Sequence, residues 1–391
     1  MSAVRLMVVL AAFAAATACG GEPTSESVTG EGCAAEAVAV FWGGTQWVEL
    51  AEGLAENPSE CLVYFVTVPP VDNDRTALRG PAAFEEIRAL SPTIHPVAEI
   101  RYTGPTGWRE WATAEGQTSY EAGVEARRRM DEAGLDVENG ETWAFNELST
   151  EVLTDEPGWR EDVLEFMRGL YDGGPGMPKA RGIVFNIFVP SDTADLTAYK
   201  ESLKAWLEDD AFWVELDKYV ELFAEEVYPN PANWGVADAP LEDRTRHLND
   251  YLFHMVALAG AGGPEPVSVA QAVLERAFVP LANAAWPHEG IGQTNVLSAE
   301  TMSQFVASQV IAIRTYGDVG RGPRIGFAWA PNEAEPTYTD EGRDAILAQL
   351  ASALRAAYEE PDAPVCADGA CDGDVEGASF NDAWTSFASW D

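Results

Sequence analysis

Positive charge is scarce in this chain. Its 24 Lys and Arg stand against 64 Asp and Glu, which leaves a net charge of -40 at pH 7. So acidic a surface repels phosphate backbones and anionic headgroups, which argues against nucleic-acid binding and against basic contact with a membrane. Solubility in salty or crowded surroundings accounts for the acidity. Histidine is scarcer still, at 4 residues. His247 and His254 share a helical face seven residues apart, without the Glu that zinc-protease spacing requires. No Gly-x-Ser-x-Gly elbow occurs, which speaks against a serine hydrolase. No glycine-rich phosphate fingerprint follows the first predicted strand either: Trp42-Gly43-Gly44-Thr45-Gln46 has the wrong spacing for a dinucleotide. No cofactor and no metal are expected. Apolar residues are plentiful at 47%, with 13 Trp, so the body of the chain has material for a packed core and does not read as disordered.

The N-terminus places the protein. Arg5 gives a short positive start, Leu6 to Ala16 is almost unbroken in its apolarity, and Ala16-Thr17-Ala18 precede Cys19. That is the anatomy of an export signal. The run falls short of the ~20 apolar residues of a membrane span. Small residues directly before a cysteine resemble a bacterial lipoprotein lipobox, with Ala16 where Leu is usual. The resemblance implies lipidation of Cys19, which becomes the mature N-terminus; the alternative is an ordinary cleaved signal. On either reading the protein works outside the cytoplasm, and the lipid is its only membrane contact.

With Cys19 lipidated, Cys33, Cys61, Cys366 and Cys371 remain, an even number in an oxidising compartment. Cys33 and Cys61 stand just before consecutive predicted strands, so a Cys33–Cys61 bridge is plausible, with Cys366–Cys371 closing a small loop. A zinc site is the runner-up, but no histidine lies near. The domain reading is a signal over residues 1–19, a Gly/Ser/Thr/Glu-rich tether over 20–32, a folded domain over 33–360, and a C-terminal appendix over 361–391. That appendix carries Asp368, Asp372 and Asp374 in an acidic turn without the closing Glu of an EF-hand. It ends in a helical aromatic stripe of Phe380, Trp384, Phe387 and Trp390.

Within the domain, short β-type runs alternate with helical periods. Strands are predicted at Ala37–Phe41, Leu62–Val68, Val97–Tyr102, Thr142–Phe145 and Gly182–Val189. Helices are predicted at Gln46–Glu56, Ala82–Leu90, Ser119–Ala133, Glu161–Tyr171 and Thr193–Leu207. The second half is less regular. Ala211–Glu226, Leu241–Leu258 and Val267–Ala284 read as helices, Trp234–Ala237 as a short sixth strand, and no seventh strand is evident. Ser298–Tyr316 is a further helix, Arg324–Ala330 a terminal strand, and Asp340–Tyr358 a last helix. Alternation without hairpins predicts parallel strands with right-handed crossovers. The expected class is α/β, a (β/α)8 TIM-type barrel, irregular in its second half with helical insertions.

The fourth predicted strand runs into Trp143-Ala144-Phe145-Asn146-Glu147-Leu148-Ser149. This resembles the Asn-Glu pair that ends the fourth strand in the superfamily of retaining (β/α)8 glycoside hydrolases. The resemblance implies that Glu147 is the general acid/base and that Asn146 contacts the sugar hydroxyl beside the reacting carbon. The carboxyl ends of barrel strands are where catalytic groups gather. Apolar neighbours such as Trp143 and Phe145 would desolvate the carboxyl and raise its pKa, as proton donation requires. The competing reading is that Asn146 and Glu147 cap the following turn.

Glycoside cleavage needs a second carboxylate, about 5–5.5 Å away for retention or 6.5–9.5 Å for inversion. The resemblance places it at the end of the seventh strand. Glu289, Glu333 and, on the third strand, Glu99 are the candidates; Glu99 has an alternative place inside the barrel. Gly326-Phe327-Ala328-Trp329 resembles the eighth strand of these enzymes, whose Trp floors the reacting-sugar subsite. Trp42, Tyr102, Trp143, Trp234 and Trp286 lie near predicted strand ends or loops, where aromatic faces stack on sugar rings; core packing is the alternative for each. Arg101 orients a substrate or pairs with a buried carboxylate. The rival functional class is a non-catalytic envelope barrel that binds a carbohydrate or another ligand.

Overall fold

The computed structural model describes residues 37–42, 55, 62–68, 81–102, 107–149, 158–187, 206–226, 268–283 and 324–328. Eight strands lie within them: β1 (Ala37–Trp42), β2 (Leu62–Val68), β3 (Ile94–Arg101), β4 (Thr142–Ser149), β5 (Gly182–Ile187), β6 (Val220–Glu226), β7 (Phe278–Asn283) and β8 (Arg324–Ala328). The helices are α1 (Pro81–Arg88), α2 (Trp108–Glu115), α3 (Ser119–Glu132), α4 (Trp159–Asp172), α5 (Asp210–Tyr219) and α6 (Val269–Ala277). This is an α/β fold. Every strand pairs in parallel with its predecessor, and the sheet curls until β8 pairs with β1, Val40 opposite Gly326.

One face of the curl is an apolar interior. Val97, Ala144, Ile183, Phe185, Leu222 and Val279 pack there among buried residues. Strand side chains alternate faces with a period of two, so this set marks the inward row of β3 to β7. The outward row packs on helices. Trp143 is fully buried against β5, and its Nε1 donates to the Ala180 carbonyl at 2.9 Å. A Cβ on Gly182 would stand 2.2 Å from the Trp143 ring, so only glycine fits there. α3 and α4 cross backbone to backbone at Gly123 and Gly169; a Cβ on Gly169 would meet the Tyr120 carbonyl at 2.3 Å. α3 opens with a capping box between Thr118 and Glu121, which satisfies backbone donors at the helix start.

Two strands occupy sequence that reads as helix. Ala211–Glu226 is helix only to Tyr219 and then β6; Val267–Ala284 is helix to Ala277 and then β7. At the first junction the helix passes into the strand without glycine, proline or asparagine to punctuate it, and at the second Pro280 comes only two residues into the strand, so the apolar period runs on across both. β6 is therefore at Val220–Glu226, and Trp234–Ala237 lies outside the described residues. β3 starts three residues earlier than predicted because Pro96, which lacks a ladder donor, sits inside it opposite Val66. α2 was not predicted: its N-cap, Gly107, makes no side-chain hydrogen bond. Predicted elements at 46–56, 193–207, 241–258, 298–316 and 340–358 lie wholly or mainly outside the described residues. So do the signal, the tether, the C-terminal appendix and all five cysteines.

Candidate active site at the carboxyl ends of the strands

β4 breaks step at the point the sequence singles out. Ala144 and Phe145 pair with Ile183 and Val184, but Leu148 pairs with Asn186. Asn146 and Glu147 together therefore stand opposite Phe185, and this is a β-bulge. A bulge inserts one extra residue and changes which face the following side chains take, a device common beside active sites. The backbone of Glu147 belongs to the strand.

Asn146 is on the inward row with Ala144 and is 3% exposed. Its register partner on β3 is Arg101, the last residue of that strand, which is half-buried. Two residues back on the same row is Glu99, also buried. The Asn146 Nδ2 donates to Glu99 Oε1. That bond fixes the amide, and the Asn146 Oδ1 is left buried with no hydrogen-bond partner. A buried acceptor without a donor costs free energy of about 1–3 kcal/mol unless something supplies one. Glu99 thus takes the interior place that its alternation allowed.

The remaining strands bring further groups to this rim. Trp42 closes β1 opposite Ala328. Position 226 on β6 belongs to the row of Leu222 and Ala224 and pairs with Leu281. The seventh strand, Phe278–Asn283, contains no carboxylate and ends in Asn283. Glu226 is a position that sequence reasoning did not place on a strand, because its segment reads as helix. The usable signal was α5 itself: after ten residues of helix, alternation calls for a strand.

Two proposed sugar-stacking residues are corrected. Trp143 and Tyr102 are both fully buried, so neither ring has a free face. Tyr102 lies beyond the sheet, with its ring centroid 4.6 Å from Phe166 and 5.5 Å from Trp159. Its hydroxyl is 3.2 Å from Ser119 Oγ, and burial pushes its pKa up to about 12. Tyr102 holds α3 and α4 to the sheet, and Trp143 packs over the entry of β5. Glu289, Glu333, Trp234, Trp286 and Trp329 lie outside the described residues.

Among the described residues no helix is long and apolar enough to cross a membrane, and no group of three or more His, Cys, Asp or Glu is placed to hold a metal ion. In comparisons with known proteins, no family model and no curated protein matches the chain.

Proposed function

We propose that the chain is an exported, lipid-anchored glycoside hydrolase built on a (β/α)8 TIM-type barrel with helical insertions. Its substrate is a carbohydrate, bound at the carboxyl mouth of the strands. It needs no cofactor, and it meets the membrane through the lipid on Cys19 alone. The observation that supports this best is the Asn146-Glu147 bulge on β4, with the buried Asn146 amide held by Glu99 and one acceptor left over. An unsatisfied acceptor inside a strand mouth suits a ligand rich in hydroxyl donors. Glu147 acts as the general acid: it protonates the glycosidic oxygen as the bond to the anomeric carbon breaks, then takes a proton from the incoming water.

A second reading has its own support. β7 lacks a carboxylate, as a barrel that binds sugars without cleaving them would. One experiment separates the two. The soluble form without its first nineteen residues is screened against polysaccharides and aryl glycosides beside Glu147→Gln, which keeps the shape and loses the transferable proton. Turnover lost in the variant supports hydrolysis. Equal turnover removes Glu147 from the mechanism, and calorimetric sugar binding without turnover by either protein establishes the binding barrel instead.

A further inference from the structure

A hydrolase with its acid on β4 needs a partner carboxylate, and β7 offers none over Phe278–Asn283. We propose that Glu226, at the carboxyl end of β6, is the nucleophile. This inference rests on the hydrolase reading above and adds the residue that reading leaves open.

Three observations place it. The first is the row. Leu222 and Ala224 lie in the interior cluster, and the β6–β7 register is unbroken from Phe223 opposite Phe278 to Glu226 opposite Leu281. Two residues beyond Ala224, position 226 occupies the same inward row.

The second is height. Pairing carries Phe185, opposite the bulge, to Ala224. In a closed ring of eight parallel strands the register climbs by about one residue per strand, and β6 is two strands from β4. That climb sets Glu226 level with Asn146 and Glu147. Two interstrand spacings of ~4.8 Å put the β4 and β6 backbones about 9 Å apart across the curve. Retention requires two carboxyl groups ~5–5.5 Å apart, which suits glutamates at register positions on strands so spaced.

The third is the open acceptor. Asn146 Oδ1 is buried and unpartnered at the same rim, so a donor-bearing ligand belongs between these strands.

The step balances. A Glu226 carboxylate oxygen attacks the anomeric carbon, the bond to the leaving oxygen breaks, and that oxygen takes the Glu147 proton. Water then gives its proton to Glu147 while its oxygen displaces Glu226, which restores both carboxyl groups.

The test uses the full chain. A 2-deoxy-2-fluoro glycoside with a good leaving group, of the sugar that the screen identifies, slows the second step and leaves the sugar ester-linked to the nucleophile. Peptide mass mapping then reads the labelled residue on the unaltered protein, so no variant has to fold. Label on Glu226 is the expected result, with Glu226→Gln slowed at least about a thousand-fold at an unchanged melting temperature. Label on Glu289 or Glu333, or turnover without label, overturns Glu226 and leaves the hydrolase reading standing. A protein that turns over no substrate fells that reading, and this inference with it.

Discussion

At the amino-terminal rim of the sheet, polar side chains tie helix ends to strand starts; at the carboxyl-terminal rim, the contact between Asn146 and Glu99 runs from strand to neighbouring strand. Arg88, at the end of α1, pairs with the buried Glu141 just before β4 and also donates to the Gly134 carbonyl. Arg181, entering β5, donates to the carbonyls of Asp217 and Val220 and pairs with Glu221 at 2.7 Å. Arg276, closing α6, reaches Asp217 and the Val220 carbonyl. The other rim carries Asn146 on Glu99 beside a bulge, with an acceptor to spare. Orphaned atoms occur at both ends, so their number does not separate the rims. Surroundings do. One amino-rim orphan, His95 Nδ1, is roofed by its neighbour: a Cβ on Gly140 would come within 3.3 Å of it. The lesson is a division of labour within one sheet, with stability built at the strand entries and, on the proposed reading, chemistry at the exits.

The comparison breaks first if the amino rim tolerates bulk. Gly182→Ala drives a methyl into the Trp143 ring, which the Ala180 carbonyl holds in place. The expected cost is about 3 kcal/mol or more, read from urea denaturation. Glu141→Ala comes next. It strips the partner from Arg88 and the acceptor from the Asp136 backbone N–H, and should cost about 3 kcal/mol. In both variants, turnover per folded molecule should match the wild type. A large loss of specific activity at full folding would sink the division.

Asn146→Ala should do the reverse. It removes one hydrogen bond to Glu99 and an acceptor that was already unsatisfied. The stability loss should be about 1 kcal/mol, smaller than for Glu141→Ala, because the gain from deleting an orphan offsets part of the lost bond. Sugar affinity by calorimetry should fall at least tenfold, which is about 1.4 kcal/mol of binding. Intact affinity would show that the open acceptor faces no ligand.

Much of this architecture was legible because local signals agreed with it. Leu62–Val68 is a strand of seven with Pro69-Pro70 behind it, and Thr118-Ser119-Tyr120-Glu121 announces α3 by its capping box. β6 and β7 were not legible. Their strand character comes from burial between neighbours, and propensity yields to tertiary context in parallel sheets. At the candidate site, Asn146-Glu147 could be read from chain position, and Glu99 from alternation. The bulge could not, since a one-residue slip leaves no mark in composition. Trp143 and Tyr102 misled for a related reason: an aromatic at a strand end is chemically the same whether its face meets sugar or a helix, and only the row decides.

The smallest expected effect tests whether the roofed orphan matters only to stability. His95 packs 5.8 Å from the Phe65 ring; burial pulls its pKa below the ordinary 6.5, and the Asn139 backbone and the Glu141 charge oppose that pull only in part. Between pH 6.5 and that lower value, the unfolded chain binds more protons than the folded one. Its contribution to stability is therefore full above pH 6.5 and is lost as pH falls through the folded-state pKa. Glu125, drawn down to about 2 chiefly by its hydrogen bond from Arg128, loses its contribution only below the ordinary 4.5. The two losses begin at different pH, 6.5 for His95 and 4.5 for Glu125. His95→Gln should flatten the slope of urea stability just below pH 6.5 and leave the steeper acid loss in place. Its pH–rate profile should overlay that of the wild type, because the carboxyl groups assigned to cleavage lie at the far rim. A shifted rate profile would mean that the amino rim reaches into the chemistry.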